Sequence, residues 1–500
     1  MKKNEIVKES TQTNMSLQID SRFVMPGDIF FCLVGSANDG HDYAEDAAKN
    51  GAAVIVHEHD VRKNEDGGTV YIQVPDTLKA LNEAADSFNG FPSKKLTMFG
   101  VTGTNGKSSI SYMISEIYSK LMAPCGYMGT IGGKLGAVPE DSTAGTNEYK
   151  VNLTTPNPID MHSTLALMLR DGAKAAAIEV SSHGLVQGRV DAVDFDYAIY
   201  TNLTREHLDY FHDMDTYCNA KALFFKMLKP DAVAIINVDD EYGQRMIDAC
   251  TGKVITYGIE GGNYNLQTSK QSTYFGKNIN YTFNGMEFDV IYDGQSYHVI
   301  TDMHVTYNLY NLLAVIATLH QAGLDMESII GELVHVPTIP GRMSNINCGQ
   351  DFKVIVDYAH TDDSYEQLLR YVREDMPGVN RIITVNGAPG KRDKQNRQSY
   401  AKWIGRFADY AILTEEDPRD ESPENIAQEI ASFLPADFKY EIIPDRYDAI
   451  AFAIKNASSN DVVLILGKGA ETYQDRASGK EPWMGDDKAA YEVLMKIVQL

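Results

Sequence analysis

The sequence predicts an α/β protein of three domains, each a largely parallel sheet flanked by helices. Three observations carry that expectation. Short apolar runs of strand length alternate with segments of helical periodicity over most of the chain. One such run passes through a glycine-rich turn straight into a helical pattern. The length of 500 residues suits roughly three domains of ordinary size.

The first region, residues 1–94, opens with Asp28–Val34, a buried strand. Ala44–Asn50 follows as a helix stopped by Gly51, then Ala52–Val56 as the next strand. Phe91-Pro-Ser-Lys-Lys95 is a linker by composition. A second region, 95–336, begins with the strand Leu96–Thr102 and ends where Val-Pro-Thr-Ile-Pro-Gly-Arg breaks the helical pattern. Within it, 263–300 has the Gly and Asn turns of an antiparallel insert. The third region, 337–500, alternates again: Lys353–Val356, Arg381–Val385, Tyr410–Thr414 and Val462–Leu466 as strands, with Ser364–Arg373 as a helix. That pattern predicts a Rossmann-like C-terminal domain.

Composition removes several classes of function. Hydrophobic residues make up 43% and charged residues 23%, which excludes wholesale disorder. The net charge is −24, from 69 acidic and 45 basic side chains. No nucleic-acid partner is expected, because such binders work by neutralising phosphates. No run approaches the roughly 18–20 apolar residues of a membrane span. Met1–Asp20 lacks an apolar signal core, so a cytoplasmic protein is expected. Cys32, Cys125, Cys218, Cys250 and Cys348 are scattered, with no Cys-x-x-Cys pair. They fit reduced, packed thiols rather than a disulfide framework or a zinc site.

The strongest motif is Thr102-Gly-Thr-Asn-Gly-Lys-Ser108, with Ile110, Met113, Ile114, Ile117 and Leu121 at helical spacing behind it. A strand, a glycine loop and a helix N-terminus together make a phosphate cradle, the mark of a P-loop-type ATP-binding fold. Gly103, Thr104, Asn105, Gly106 and Ser109 shape it, Lys107 can reach the outer phosphates, and Ser108 can offer a hydroxyl to Mg²⁺. Val101 stands where the strict motif has glycine. Two more strand ends carry polar clusters: Glu179-Val-Ser-Ser-His183 and Thr201-Asn-Leu-Thr-Arg-Glu-His207. Ligands gather at such carboxyl ends, and Glu179 and His207 are donors for Mg²⁺.

This form of the loop resembles that of the Mur ligases and the related folylpolyglutamate synthetases. The resemblance extends over roughly residues 20–500. It implies that Lys221 is carbamylated to N6-carboxylysine, an anionic Mg²⁺ ligand beside Ser108, Glu179 and His207. Asp20-Ser-Arg-Phe-Val-Met-Pro-Gly-Asp28 and Gly35-Ser-Ala-Asn-Asp-Gly-His41 resemble the uridine-nucleotide segments of the tripeptide-forming branch. By resemblance, Ser21, Ser36, Ala37 and Asn38 hold the nucleotide. Thr154, Thr155, Ser181, Gln187 and Arg189 contact the UDP-sugar peptide, where Arg189 supplies a cation for an anionic substrate. Asn308 and Asn311 lie by adenine, Arg342 steadies the transferred phosphoryl group, and Asp357 and His360 complete the ATP contacts. Arg392, Glu416, Asp417, Arg419, Gly467 and Glu471 receive the incoming amino acid.

The implied reaction joins a diamino acid to the D-glutamate carboxylate of UDP-N-acetylmuramoyl-L-alanyl-D-glutamate. It uses ATP and Mg²⁺, runs through an acyl phosphate, and is catalysed by Lys107, Glu179, His207, Lys221 and Arg342. A monomer is expected. Diaminopimelate-adding members carry Asp-Asn-Pro-Arg and Gly-Lys-Gly-His-Glu, where this chain has Glu416-Asp-Pro-Arg419 and Gly467-Lys-Gly-Ala-Glu471. Asp417 adds a negative charge and Ala470 removes a donor, which favours L-lysine; Arg419 favours meso-diaminopimelate. A folylpolyglutamate-type ligase lacks the uridine segments. A non-catalytic paralogue would have lost Lys107, Glu179, His207 or Lys221, and all four are present.

Overall fold

The computed structural model describes residues 15–498, apart from 36–37, 65–67, 137–147, 263–271, 284, 335–340, 342, 393 and 470. The chain forms two compact units, Met1–Phe275 with Leu313–Ile329, and Gly276–Leu312 with Ile330–Leu500.

In the first unit, a small parallel sheet runs in the order Leu17–Gln18, Ile29–Phe31, Val54–His57, Val70–Gln73. A larger sheet runs in the order Lys253–Ile259, Val233–Asn237, Tyr197–Tyr200, Thr97–Thr102, Ala175–Glu179, Cys125–Gly129, all parallel. Two antiparallel strands, Gly132–Leu135 and Glu148–Tyr149, follow on that side. The order is not the chain order: Thr97–Thr102 lies between two strands that come later. Its ends therefore sit beside those of Ala175–Glu179 and Tyr197–Tyr200. The central strands Thr97–Thr102, Ala175–Glu179, Tyr197–Tyr200 and Cys125–Gly129 are buried almost throughout because helices cover them, as parallel sheets require. Ile110, Met113, Ile114 and Ile117 of the helix Lys107–Leu121 are all buried. Gly100 lies so close to Phe195 and Phe224 that no Cβ fits there.

In the second unit, the strands Ser344–Asn345, Lys353–Asp357, Val462–Leu466, Ile382–Asn386, Tyr410–Leu413 and Tyr440–Ile442 form one sheet in that order. All neighbours are parallel except the first pair. Apolar clusters fill both faces. The helix Asp362–Arg370 starts at a Thr361–Ser364 capping box and ends in a π turn, Tyr371–Asp375. The expected insert appears as the antiparallel strands Gly285–Tyr292 and Gln295–Thr301; residues 263–271 of that expectation lie outside the described residues. Arg446 and Asp486 form a bidentate ion pair at 2.8 and 2.7 Å, with neither side chain exposed. The same guanidinium donates to the carbonyls of Glu415 and Leu466. It thus fixes the strand ends that carry Glu416 and Gly467.

His304 is buried in this unit, with Nδ1 2.9 Å from the Tyr371 hydroxyl. Burial, with Lys353 nearby, lowers its pKa to about 3. Between that value and about 6.5 the unfolded chain binds a proton that the folded chain does not. Stability therefore falls as pH drops through this window. Relative to His304→Gln, the wild-type protein should lose about 2 kcal/mol between pH 7 and pH 5, read from urea unfolding of the two proteins across that range.

Candidate active site

The loop after Thr97–Thr102 is shaped by two glycines, Gly103 (φ 150°) and Gly106 (φ 86°). A side chain at Gly103 would collide with the Thr201 hydroxyl. The loop is stitched to the neighbouring strand end. Thr104 N–H donates to Asn202 O at 2.8 Å, and Asn105 N–H to Asn202 Oδ1 at 2.9 Å. The Thr201 hydroxyl donates to Asn105 O at 2.6 Å, and Thr204 N–H to Thr104 Oγ1 at 3.0 Å. With Thr104 and Asn105 engaged this way, the anion-facing end is the first turn of the helix Lys107–Leu121, which contains Ser108 and Ser109.

Two lysines converge on one carbonyl here. Lys107 Nζ donates to Gly103 O at 3.0 Å and to Thr104 O at 2.8 Å. Lys221 Nζ donates to the same Gly103 O at 2.8 Å and lies 4.6 Å from the Tyr217 ring centroid. Lys221 is only 1% exposed. Burial first, and the Lys107 charge second, push its amine well below the usual lysine range.

Glu179 closes the adjacent strand and is 1% exposed. Its Oε1 accepts from the Tyr127 hydroxyl at 2.5 Å and from Thr130 N–H at 2.9 Å. Its Oε2 accepts from the Thr130 hydroxyl at 3.1 Å. Burial, and then the Glu179 charge, raise the Tyr127 phenol far above its ordinary value, so it stays a donor. His207 is exposed and sits at a left-handed corner (φ 58°). Its ring packs against His183 at 4.9 Å and Tyr217 at 6.1 Å.

Around the end of the Ala175–Glu179 strand, Thr155 Oγ1 donates to Glu179 O and accepts from Ser181 N–H, both at 2.9 Å. The Ser181 hydroxyl caps the short helix Ser182–Val186. Arg189 is held by Thr155 O at 2.7 Å and Gln187 Oε1 at 2.5 Å, and Thr154 Oγ1 is 3.1 Å from Thr130 Oγ1. The fold thus brings Thr154, Thr155, Ser181, Gln187 and Arg189 together with Glu179. In the small sheet, Ser21 is buried at the start of a 3₁₀ turn capped by Asp20, and Asn38 O closes a tight turn onto Gly35 N–H. Ser36 and Ala37 lie outside the described residues.

The second unit holds the other expected residues. Asn308 and Asn311 are buried and bonded to each other, and Asn308 also reaches His304 O. Both Asp357 oxygens accept backbone N–H groups, from Met343 and Ala359. His360 is exposed, with Nδ1 on Tyr358 O; Arg342 and Ala470 lie outside the described residues. Arg392 is exposed. Glu416 is buried, its Oε2 without a hydrogen-bond partner among the described residues. Burial raises its pKa to about 7. Gly467 (φ 106°) leaves room for this carboxyl, which a side chain there would strike.

Asp417 is not the uncompensated charge that the case for L-lysine assumed. Its Oδ1 accepts from Lys468 Nζ at 2.8 Å and from Asp475 N–H at 2.9 Å. Lys468 also pairs with Glu471 at 2.5 Å. Arg419 lies 3.2 Å from Asp475 and donates to Gly390 O. Lys468 was missed in the sequence, although it is the cation of the Gly467-Lys-Gly-Ala-Glu471 run.

Residues 15–89 match the catalytic domain of the Mur ligase family, 101–319 the Mur ligase middle domain, and 341–469 the glutamate ligase domain. The chain belongs to the Mur ligase family. It is 37% identical over 489 residues to a UDP-N-acetylmuramoyl-L-alanyl-D-glutamate–2,6-diaminopimelate ligase of Geobacillus thermodenitrificans, covering 96% of this chain and 95% of that one. A ligase of the same name from Fusobacterium nucleatum is 37% identical over 476 residues, with 94% and 92% covered. A solved structure of such a ligase superposes with a TM-score of 0.70 at 28% identity, covering 97% of this chain and 95% of that one. A folylpolyglutamate synthase from Mycobacterium tuberculosis, at 16% identity and a TM-score of 0.59, shares the fold over 78% of this chain and 92% of that one. Among the described residues, no helix is long and apolar enough to cross a membrane.

In this Mur ligase, Gly103→Ala should weaken ATP binding by about tenfold or more. The strained backbone alone costs on the order of 1–3 kcal/mol, and the Thr201 collision adds to it. Titration with a fluorescent ATP analogue, on protein of unchanged circular dichroism, measures the effect.

Proposed function

We propose that this chain forms the amide bond between the D-glutamate carboxylate of UDP-N-acetylmuramoyl-L-alanyl-D-glutamate and an amine of meso-diaminopimelate, using ATP. In this reading, 1–94 binds the UDP-sugar, 95–336 binds ATP, and 337–500 receives the amino acid. The observation that carries it is Lys221, a buried amine kept toward its neutral form beside the phosphate loop. A neutral amine has the lone pair that carbamylation by CO₂ requires, and an ammonium does not.

Oxide is a poor leaving group, so the carboxylate is first activated. It attacks the γ-phosphoryl group of ATP, ADP departs, and an acyl phosphate remains. The amine then attacks the acyl carbon, loses a proton, and phosphate leaves the tetrahedral intermediate. Two anions must meet in the first step. Lys107 and the helix N-terminus lower that repulsion, and Arg342 steadies the phosphoryl group. Arg189 anchors the anionic UDP-sugar peptide.

Ser108 and Glu179 are hard oxygen donors that fit Mg²⁺, carbamylated Lys221 would add an anionic oxygen, and His207 would add a borderline nitrogen donor. When bound, the metal neutralises charge on the transferred phosphoryl group. Glu179 is held on both oxygens by Tyr127 and Thr130. Asn308 and Asn311 receive adenine, and Asp357 and His360 complete the ATP contacts. Arg392 takes the α-carboxylate of the amino acid.

Diaminopimelate is favoured over lysine for two reasons. The similar ligases named above carry that substrate in their names. The charge of Asp417 is also met by Lys468, which removes the electrostatic argument for lysine, while the Arg419 fork has further N–H groups for a distal carboxylate.

The test is phosphate release with ATP, Mg²⁺ and UDP-N-acetylmuramoyl-L-alanyl-D-glutamate. Turnover should depend on meso-diaminopimelate, with little from L-lysine. Lys221→Ala should lower it by about 100-fold or more, and depletion of CO₂ should lower wild-type turnover until bicarbonate is restored. Turnover with lysine alone would overturn the choice of amine, and full activity of Lys221→Ala would overturn the role of that residue.

A further inference from the structure

Lys468 occupies an unusual position among the residues of the amino-acid site. Its side chain is 1% exposed, whereas those of Asp417 and Glu471 are 18% and 26% exposed. The ammonium therefore stands behind the carboxylates. It donates to Asp417 Oδ1 at 2.8 Å and to Glu471 Oε2 at 2.5 Å. Its third side faces the Tyr473 ring, 4.4 Å from the centroid. Glu471 Oε1 is fixed in turn by the Tyr358 and Tyr473 hydroxyls at 3.0 and 3.3 Å. The flanking glycines, Gly467 (φ 106°) and Gly469 (φ 52°), allow the backbone to turn this lysine inward. Burial alone would lower the amine, but the two carboxylates outweigh it and hold it above the usual lysine range.

We propose that Lys468 is a positioning and specificity residue for the incoming diamino acid. It acts from behind Asp417 and Glu471 as a built-in counter-ion that lets the pocket accept a substrate with a second carboxylate. The proposal rests on the amino-acid site of the preceding subsection. Two carboxylates and one ammonium leave a single net negative charge in this cluster. That suffices to hold a distal ammonium without strongly repelling a neighbouring carboxylate. Without Lys468, two negative charges would face the substrate. The pocket would then favour a diamino acid whose distal end is only cationic. Without Asp417, the cluster would be neutral and the preference would move the other way.

The experiment compares kcat/KM for meso-diaminopimelate and L-lysine, at saturating ATP and UDP-substrate, in the wild type, Lys468→Met, Asp417→Asn and the double variant. Lys468→Met should lower the diaminopimelate-to-lysine ratio by on the order of tenfold or more, the effect of one charge at a few ångströms in a half-buried site. KM for diaminopimelate should rise while KM for ATP stays put. Asp417→Asn should raise the ratio, and the double variant should return toward the wild type. A merely structural role would depress both substrates together and could not give responses of opposite sign. Unchanged ratios, or a parallel loss in both single variants, would overturn the proposal. If Lys468→Met does not fold, Asp417→Asn and the double variant still decide. A wild type that uses lysine alone would instead overturn the substrate reading. The counter-ion role is then read from unfolding midpoints, which should fall in Lys468→Met and recover in the double variant; no recovery would overturn that role too.

Discussion

The carbonyl of Gly103 accepts hydrogen bonds from two lysine amines, and the rest of the nucleotide end of the molecule depends on that meeting. Burial disfavours an ammonium there, and a second ammonium on the same carbonyl adds repulsion. One of them must yield, and Lys221 is the buried one. Lys107 keeps the position next to the helix N-terminus and a second carbonyl, Thr104 O. The arrangement needs a bare backbone at Gly103, because the Thr201 hydroxyl takes the space a side chain would fill. It also needs Asn202 and Thr201 to hold the loop in place. A strand order that sets Tyr197–Tyr200 beside Thr97–Thr102 supplies them.

The second unit solves its charge problem by a different route. Two of its buried cations, Arg446 and Lys468, are surrounded by acceptors rather than left to deprotonate. Arg446 meets both oxygens of Asp486 and two strand-end carbonyls. Lys468 meets Asp417 and Glu471. Glu416 is the exception, a buried carboxyl with one oxygen unmet among the described residues and a pKa pushed up to about 7. At Gly467 a side chain would strike it, and Arg446 donates to the adjacent Glu415 carbonyl.

Much of this was legible in the sequence. The buried runs at Leu96–Thr102, Ala175–Ile178 and Val462–Leu466 are strands, because only parallel sheets covered on both faces are apolar without alternation. The phosphate loop followed from its glycines, its strand and its helix together. Lys221 was singled out only through the family resemblance, yet a physical signal was there. Tyr217, Ala220, Lys221, Phe224 and Phe225 share the buried face of the helix Met214–Lys226, so the lysine interrupts an apolar stripe. Lys468 was not legible in the same way. Its partner Asp417 is 51 residues away, and the left-handed backbone at Asp417 and Arg419 has no mark in residue type. Charges that compensate across such a distance look uncompensated in a linear sequence, which is how Asp417 came to favour lysine.

Glu179 and His207 differ in how firmly they are held, and the difference follows from charge. Glu179 is a buried carboxylate, so its desolvation must be met by donors before any ligand arrives. Tyr127 and Thr130 provide three of them, and Gly129 has no side chain because the carboxylate fills that space. His207 is exposed, sits at a left-handed corner, and is held by ring contacts and by Glu206 at 3.7 Å. Its orientation can therefore adjust at little cost. The carboxylate is thus fixed by folding, while the exposed imidazole is held more loosely. The firmly held carboxylate is encoded by residues of two strands, Ala175–Glu179 and Cys125–Gly129, and the Thr130 turn that follows, while the histidine needs only its neighbours His183, Glu206 and Tyr217.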